Sequence, residues 1–268
     1  FFILHTLLKL KGKLCFQYLK LYCVIETANH DTKHANGVPK RIVNGKDAQS
    51  NEFPMMVGLV ERGRNLITCG GTIISRRYVL SAAHCLTGKD PNNIAVIVGE
   101  QDTSKGSKMY FFFSFNYDYD VGILKTEQEI EFSEYVNAVC LPFRFRNNDF
   151  ANKKLTILGW GTTSIGGPTS DVLQKVEVDV ISQETCRQVV PSVTPRQLCT
   201  YTPGKDACQF DSGGPLLYTD RQTGYLIQAA IVSFGRQCAS ENEPGVNTRV
   251  TEVLNWIVET APDNYCVK

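Results

Sequence analysis

The chain has 268 residues, 43% of them hydrophobic and 21% charged, and a formal net charge of +1. That is enough apolar material for one large all-β domain or two small ones. The near-neutral balance, with no long basic or acidic run, excludes nucleic acid and an anionic membrane surface as partners, and no apolar run reaches the roughly 20 residues of a spanning helix.

Phe1 to Leu8 is apolar, and Lys9, Lys11 and Lys13 then interrupt the run. The chain begins with Phe1 rather than Met, as a fragment or a processed form does; a partial signal segment and the tail of an upstream domain both fit, and no structure is assigned here. Glu26 to Lys40 is polar, with Gly37 and Pro39, and reads as a linker. It ends in Lys40-Arg41 before Ile42-Val43-Asn44-Gly45. Cleavage after Arg41 would leave an α-ammonium on Ile42, and a buried cation needs a carboxylate partner, for which Asp211 is the candidate. An ordinary strand start is the alternative.

Short β-type runs follow, Met55 to Val60 and Thr72 to Ile74, leading to Ser81-Ala82-Ala83-His84-Cys85. Cys69 is close enough in sequence for a bond to Cys85 that pins the backbone carrying His84. Asp120 stands directly before the apolar run Val121 to Leu124, so its carboxylate can be buried at a strand edge and needs a donor such as a histidine ring N–H. Asp118 is the rival, and parity does not separate the two. Lys154 to Trp160 is apolar, Lys175 to Ile181 alternates with Val176, Val178 and Val180 on one face, and Tyr225 to Ser233 reads as a buried strand. One helix is expected, from Val250 through Ile257, capped by Thr251 and stopped by Pro262. Between these strands lies Asp206-Ala207-Cys208-Gln209-Phe210-Asp211-Ser212-Gly213-Gly214-Pro215. A serine hydroxyl here needs a base and a stabilised oxyanion to act as a nucleophile, whereas the same residues also make a good turn. The ten cysteines are scattered rather than clustered as in a zinc site, so an oxidised framework and an extracellular compartment are expected. There is no N-x-Ser/Thr sequon.

Arg41-Ile42-Val43-Asn44-Gly45, Ala82-Ala83-His84-Cys85, Asp120-Val121-Gly122-Ile123-Leu124, Gly159-Trp160-Gly161 and Asp211-Ser212-Gly213-Gly214-Pro215 occur in this order. Together they resemble the trypsin/chymotrypsin-like serine proteases, from about Arg41 to Pro262, and Lys205 to Gln209 looks like secreted arthropod members from venom or haemolymph. The resemblance implies an all-β fold of two antiparallel six-stranded barrels with a C-terminal helix, and a division into a pro-region or upstream remnant at 1–41 and a protease domain at 42–268. It implies that Ser212 attacks, that His84 carries the proton, and that Asp120 orients His84. The N–H groups of Phe210 and Ser212 would hold the oxyanion, and Ile42 paired with Asp211 would order the loop only after cleavage at Arg41. Asp206, six positions before Ser212, would floor a pocket for Arg or Lys, with Gly235 and Gly245 in its walls.

By the same resemblance Cys69 pairs with Cys85, Cys186 with Cys199, and Cys208 with Cys238. Cys140 would link to Cys15 or Cys23; Cys266 and the other of the two then pair with each other or with something missing from this fragment. No metal or cofactor is implied; the second acid of a calcium loop after Glu100 is not evident. The expected partners are protein or peptide substrates and protease inhibitors, and the expected state is a secreted monomer. Two departures stand out. Phe210 sits where the family has Gly, and Asp120 follows His84 by only 120 − 84 = 36 positions, with Lys108 to Phe113 unlike the family's usual strand there. These departures support a second reading, a non-catalytic or weakly active homologue that binds partners.

Overall fold

The computed structural model describes residues 8–10, 13–18, 20–24, 42–62, 66–99, 101–102, 107–112, 117–162, 166–235 and 238–268, with 8–24 and 101–112 as backbone only. The chain divides into two compact units, Phe1–Val38 and Pro39–Lys268. Strands Leu8–Leu10, Lys13–Tyr18 and Lys20–Val24 form an antiparallel sheet in the first. The linker and Arg41 lie outside the described residues.

The second unit holds two antiparallel seven-stranded sheets. The first runs, in spatial order, through Ser107–Phe112, Val121–Thr126, Tyr78–Ser81, Ile67–Ile73, Met56–Glu61, Ile94–Val98 and Gln101–Asp102. The second runs through Gln197–Thr200, Gly245–Arg249, Leu226–Phe234, Pro215–Thr219, Lys154–Gly159, Gln174–Asp179 and Lys46–Asp47. Six strands per sheet were expected; the seventh in each is a two-residue edge ladder, Gln101–Asp102 or Lys46–Asp47. The alternation sets one face of the second sheet against a core. Val176, Val178 and Val180 are buried while Glu177 is exposed, and they meet Leu155, Ile157, Leu216 and Phe150. Each such side chain contributes about 1.5–3 kcal/mol by leaving water.

The shortened stretch before Asp120 keeps its strand. Ser107–Phe112 pairs residue for residue with Val121–Thr126. The reduced His84–Asp120 interval therefore costs loop, not a barrel strand, and Val121–Thr126 also pairs with Tyr78–Ser81, the strand that leads to His84.

Among the described residues two α-helices appear where one was expected. Gln183–Val189 is capped by the Ser182 hydroxyl, which accepts the Thr185 N–H at 3.1 Å. The late helix is shorter than expected, Leu254–Thr260, preceded by a 3-10 turn at Val250–Glu252. Thr251 does not cap it: its hydroxyl is buried without a partner, because the chain enters through the tighter turn. Among the described residues no helix is long and apolar enough to cross a membrane.

The two sheets touch through glycine. The Gly70 N–H donates to the Ser212 carbonyl at 2.8 Å, and a Cβ at Gly70 would lie 2.9 Å from the Gly214 backbone. No real Cβ fits there, so this contact fixes how closely the serine loop approaches the sheet that carries His84.

Candidate active site

Three connections converge at this contact. His84 lies in the 3-10 turn Ala83–Cys85 that follows Tyr78–Ser81, and the Cys69–Cys85 disulfide ties that turn back to the neighbouring strand. Asp120 precedes Val121–Thr126 and is completely buried. Its Oδ1 accepts the His84 backbone N–H at 2.9 Å, and its Oδ2 lies 2.7 Å from His84 Nδ1. Ser233 Oγ donates to the same Oδ2 at 2.5 Å, and Thr248 Oγ1 donates to the Asp120 carbonyl at 2.9 Å. Three donors thus satisfy a charge that would be costly alone in the interior. The His84 side chain is 25% exposed, and Cys85 Sγ lies 3.8 Å from its Nε2. Among the described residues its ring makes no hydrogen bond to the Ser212 hydroxyl. The Cys69, His84 and Cys85 side chains cluster, but both sulfurs are held in the disulfide, so this is not a metal site.

The rival carboxylate has another partner. Arg196 donates to Asp118 through Nε at 3.1 and 3.0 Å and through a terminal nitrogen at 2.6 Å, and the Thr194 hydroxyl donates to it as well. Burial pushes the Asp118 carboxyl up, but the Arg196 guanidinium and Thr194 outweigh it and hold it below its ordinary value. The Arg196 guanidinium also lies over the Tyr119 ring, and Gln197 Nε2 donates to the Tyr117 carbonyl. The 194–197 turn thereby grips three successive residues just ahead of Asp120. Tyr117, at φ 58°, sets its ring edge-on to His84 and beside Phe234. Sequence reasoning missed Ser233, Thr248, Tyr117 and Arg196; isolated polar residues in strands and turns carry no spacing signal.

The serine loop has the conformation its sequence predicts to be awkward. Phe210 has φ 75°, a left-handed backbone that costs a residue with a Cβ about 1–2 kcal/mol. The N–H of Asp211 donates to Cys208 O and that of Gly213 to Val232 O. The N–H groups of Phe210 and Ser212 donate to no acceptor among the described residues. A cavity of about 320 Å³ opens beside Ser212, bounded by Asp206, Cys208, Ser233, Gly235 and Gly245. The Cys208–Cys238 disulfide joins two of its sides. A Cβ at Gly245 would lie 3.0 Å from Asp206 Oδ1, so only glycine leaves that carboxylate its space. Asp206 accepts the N–H groups of Ala207 at 2.8 Å and Ala239 at 3.2 Å, and burial pushes its carboxyl up to about 6.

Ile42 is wholly buried in the second core with Phe150, Leu155 and Ile157. Val43 forms a backbone bridge with Asp206, and Asn44 donates to Gly204 O at 2.7 Å. Asp211, wholly buried, accepts the N–H groups of Gly161 and Cys208, both at 2.8 Å. Burial pushes its carboxyl up to about 7 against these hydrogen bonds, with Asp206 nearby adding to the rise.

A pH dependence follows for the uncut chain. Asp206 and Asp211 keep protons in the fold at pH values where the unfolded chain, with carboxyls near the ordinary 3.8, has lost them. Their contribution to stability is therefore fully present below pH ~4 and is lost as pH rises through about 6 and about 7. At ~1.4 kcal/mol per pKa unit, Asp211 alone accounts for a fall of up to about 4 kcal/mol. Chemical denaturation of uncut chain between pH 4 and 8 should show this fall, and Asp211→Asn should flatten most of it.

The disulfides match the expected Cys69–Cys85, Cys186–Cys199 and Cys208–Cys238 pairs. The fourth is a correction. Cys140 bonds Cys266, not Cys15 or Cys23, because the segment after the last helix returns beside Cys140, with the Leu141 N–H donating to Cys266 O at 3.0 Å.

The chain is also similar to known proteins. The family model described as Trypsin matches residues 42–257. The chain is 39% identical over 248 residues to "Venom serine protease 34" of Apis mellifera, an alignment covering 85% of this chain and 61% of that protein. It is 36% identical over 273 residues to "Venom serine protease" of Polistes dominula, covering 95% and 98%. It is 34% identical over 253 residues to "Proclotting enzyme" of Tachypleus tridentatus, covering 84% and 67%. The chain thus spans less than two thirds of the Apis relative's length.

Proposed function

From the premise that the chain belongs to the trypsin family of serine proteases, we propose that it is a secreted endopeptidase, made as a zymogen, that cuts peptide bonds after Arg or Lys. The observation that carries this reading is the His84 Nδ1–Asp120 Oδ2 contact of 2.7 Å beside a Ser212 loop hydrogen-bonded to the same sheet. Ser212 Oγ attacks the scissile carbonyl while His84 Nε2 takes its proton. Asp120, filled by its other donors, keeps the ring proton on Nδ1 and stabilises the imidazolium. The Phe210 and Ser212 N–H groups receive the oxyanion. The acyl-enzyme forms as His84 returns the proton to the leaving amine, and water then releases the acid by the reverse sequence. Cleavage after Arg41 would give Ile42 an ammonium to pair with Asp211, drawing the proton off that carboxyl and making the pair ionic. The four disulfides and the relatives' names, venom and proclotting, support an extracellular site of action on protein substrates, under control by protein inhibitors.

The non-catalytic reading is favoured by one feature, the strained φ of 75° at Phe210, whose N–H is one of the two oxyanion donors. Losing such a donor typically costs about 10²- to 10³-fold in rate. One experiment separates the readings. Chain cut after Arg41, with a verified Ile42 amino terminus, is treated with a serine-directed fluorophosphonate and assayed on a peptide library. Stoichiometric labelling at Ser212 with cleavage after Arg and Lys is the expected result. A folded, correctly cut product that takes no label overturns the enzyme reading.

A further inference from the structure

We infer that no disulfide crosses the Arg41–Ile42 bond, so that cleavage there divides the chain into two covalently separate pieces, and that Cys15 and Cys23 are bonded to each other. The biological use of the cut rests on the zymogen reading; the cysteine accounting does not. Of the ten cysteines, only Cys15 and Cys23 precede Arg41. The eight that follow are all used among themselves, in Cys69–Cys85, Cys140–Cys266, Cys186–Cys199 and Cys208–Cys238. Each sulfur makes one such bond, so none is left to reach back across the cut. The decisive pair is Cys140–Cys266, which closes a separation of 126 positions and takes up the cysteine that could have held the amino-terminal segment. It sits where backbone already converges, in a parallel bridge between Cys140 and Cys266 with Cys140 buried.

The two remaining cysteines are placed together by the backbone. Strands Lys13–Tyr18 and Lys20–Val24 pair in a register that sets Cys15 directly opposite Cys23. Opposed residues of an antiparallel pair share a sheet face and have Cα atoms about 4.5–5.5 Å apart, inside the roughly 4.4–6.8 Å that a disulfide spans. The bond forms as two thiols give up two protons and two electrons to a protein or small-molecule disulfide, which is reduced to two thiols. On the zymogen reading, cleavage then separates the segment that carries Cys15 and Cys23 from the protease unit, and a partner that holds that segment loses the protease at the moment it is switched on.

The test uses the full chain. Free thiols are alkylated in denaturant at acid pH, the unreduced protein is digested, and cross-linked peptides are mapped by mass. The expected map joins Cys140 to Cys266 and Cys15 to Cys23, with no alkylated cysteine. Chain cut after Arg41 should then run as two species on denaturing electrophoresis whether or not reductant is present. A peptide joining Cys15 or Cys23 to any downstream cysteine overturns the inference, as does alkylation at both. In the double variant Cys140→Ser, Cys266→Ser the Cys15–Cys23 peptide should persist, and its loss counts against the pairing. If the map holds while Ser212 takes no fluorophosphonate, the enzyme reading fails alone.

Discussion

Asp120→Asn should lower kcat/KM of the cut protease by about 10⁴-fold while leaving its fold intact, the magnitude that loss of the orienting carboxylate has in this family. The argument is one of donors and acceptors. Asp120 receives His84 N–H at one oxygen, and the His84 ring and Ser233 Oγ at the other. Asparagine keeps the shape but offers one acceptor oxygen and an NH₂ group. With its oxygen on the backbone N–H, the NH₂ faces Nδ1, which must then accept. The ring proton moves to Nε2, the nitrogen that has to take the Ser212 proton, and the base is lost without any displacement. A thermal melt alongside a kcat/KM measurement on an Arg peptide checks this; less than a tenfold loss would sink the assignment. Asp118→Asn is the natural comparison. Two residues before Asp120, it weakens the charged pairing with Arg196, and should cost stability more than rate.

That comparison also shows where sequence reading stops. Asp118 and Asp120 have the same strand parity, and the apolar run beside Asp120 was the one local clue. What separates them is Arg196, 78 positions from Asp118, for which nothing in the spacing gives a distance. The strands were legible wherever alternation met a one-sided core, as at Val176, Val178 and Val180. The helix Gln183–Val189 was not, because it buries only Cys186 and so has no apolar stripe to read. Cys140 was given the wrong partner for the same reason as Arg196 was overlooked: a contact 126 positions away is a property of the folded path, not of the local sequence. Phe210 is the opposite case. The resemblance, which puts a glycine at this position, was the clue to a glycine-like backbone there, and Phe210 has φ 75°.

Asp206→Ala should reduce kcat/KM for Arg and Lys peptides by about 10²- to 10⁴-fold and leave Leu or Phe peptides nearly unchanged. The carboxylate is 9% exposed and bound only by the N–H groups of Ala207 and Ala239; among the described residues it forms no ion pair. Burial holds its pKa at about 6, so near neutral pH the empty pocket keeps a charge the fold does not compensate. A guanidinium entering the 320 Å³ cavity supplies the missing partner. Removing one member of a buried ion pair costs about 3–5 kcal/mol, which at ~1.4 kcal/mol per decade gives the stated range. The same logic fixes a pH signature. As pH falls through about 6, Asp206 of the free enzyme takes a proton, and binding of Arg peptides must then expel it. KM for Arg peptides should therefore rise on the acid side, whereas KM for neutral peptides should not follow it. Gly245→Ala offers a milder version, because its Cβ would come within 3.0 Å of Asp206 Oδ1 and push the carboxylate off its place. Paired KM profiles from pH 5 to 8, Arg against Leu, decide the matter: unmodified enzyme that cuts after Leu as readily as after Arg has no charged floor, and Asp206 is then a surface-loop acid folded inward.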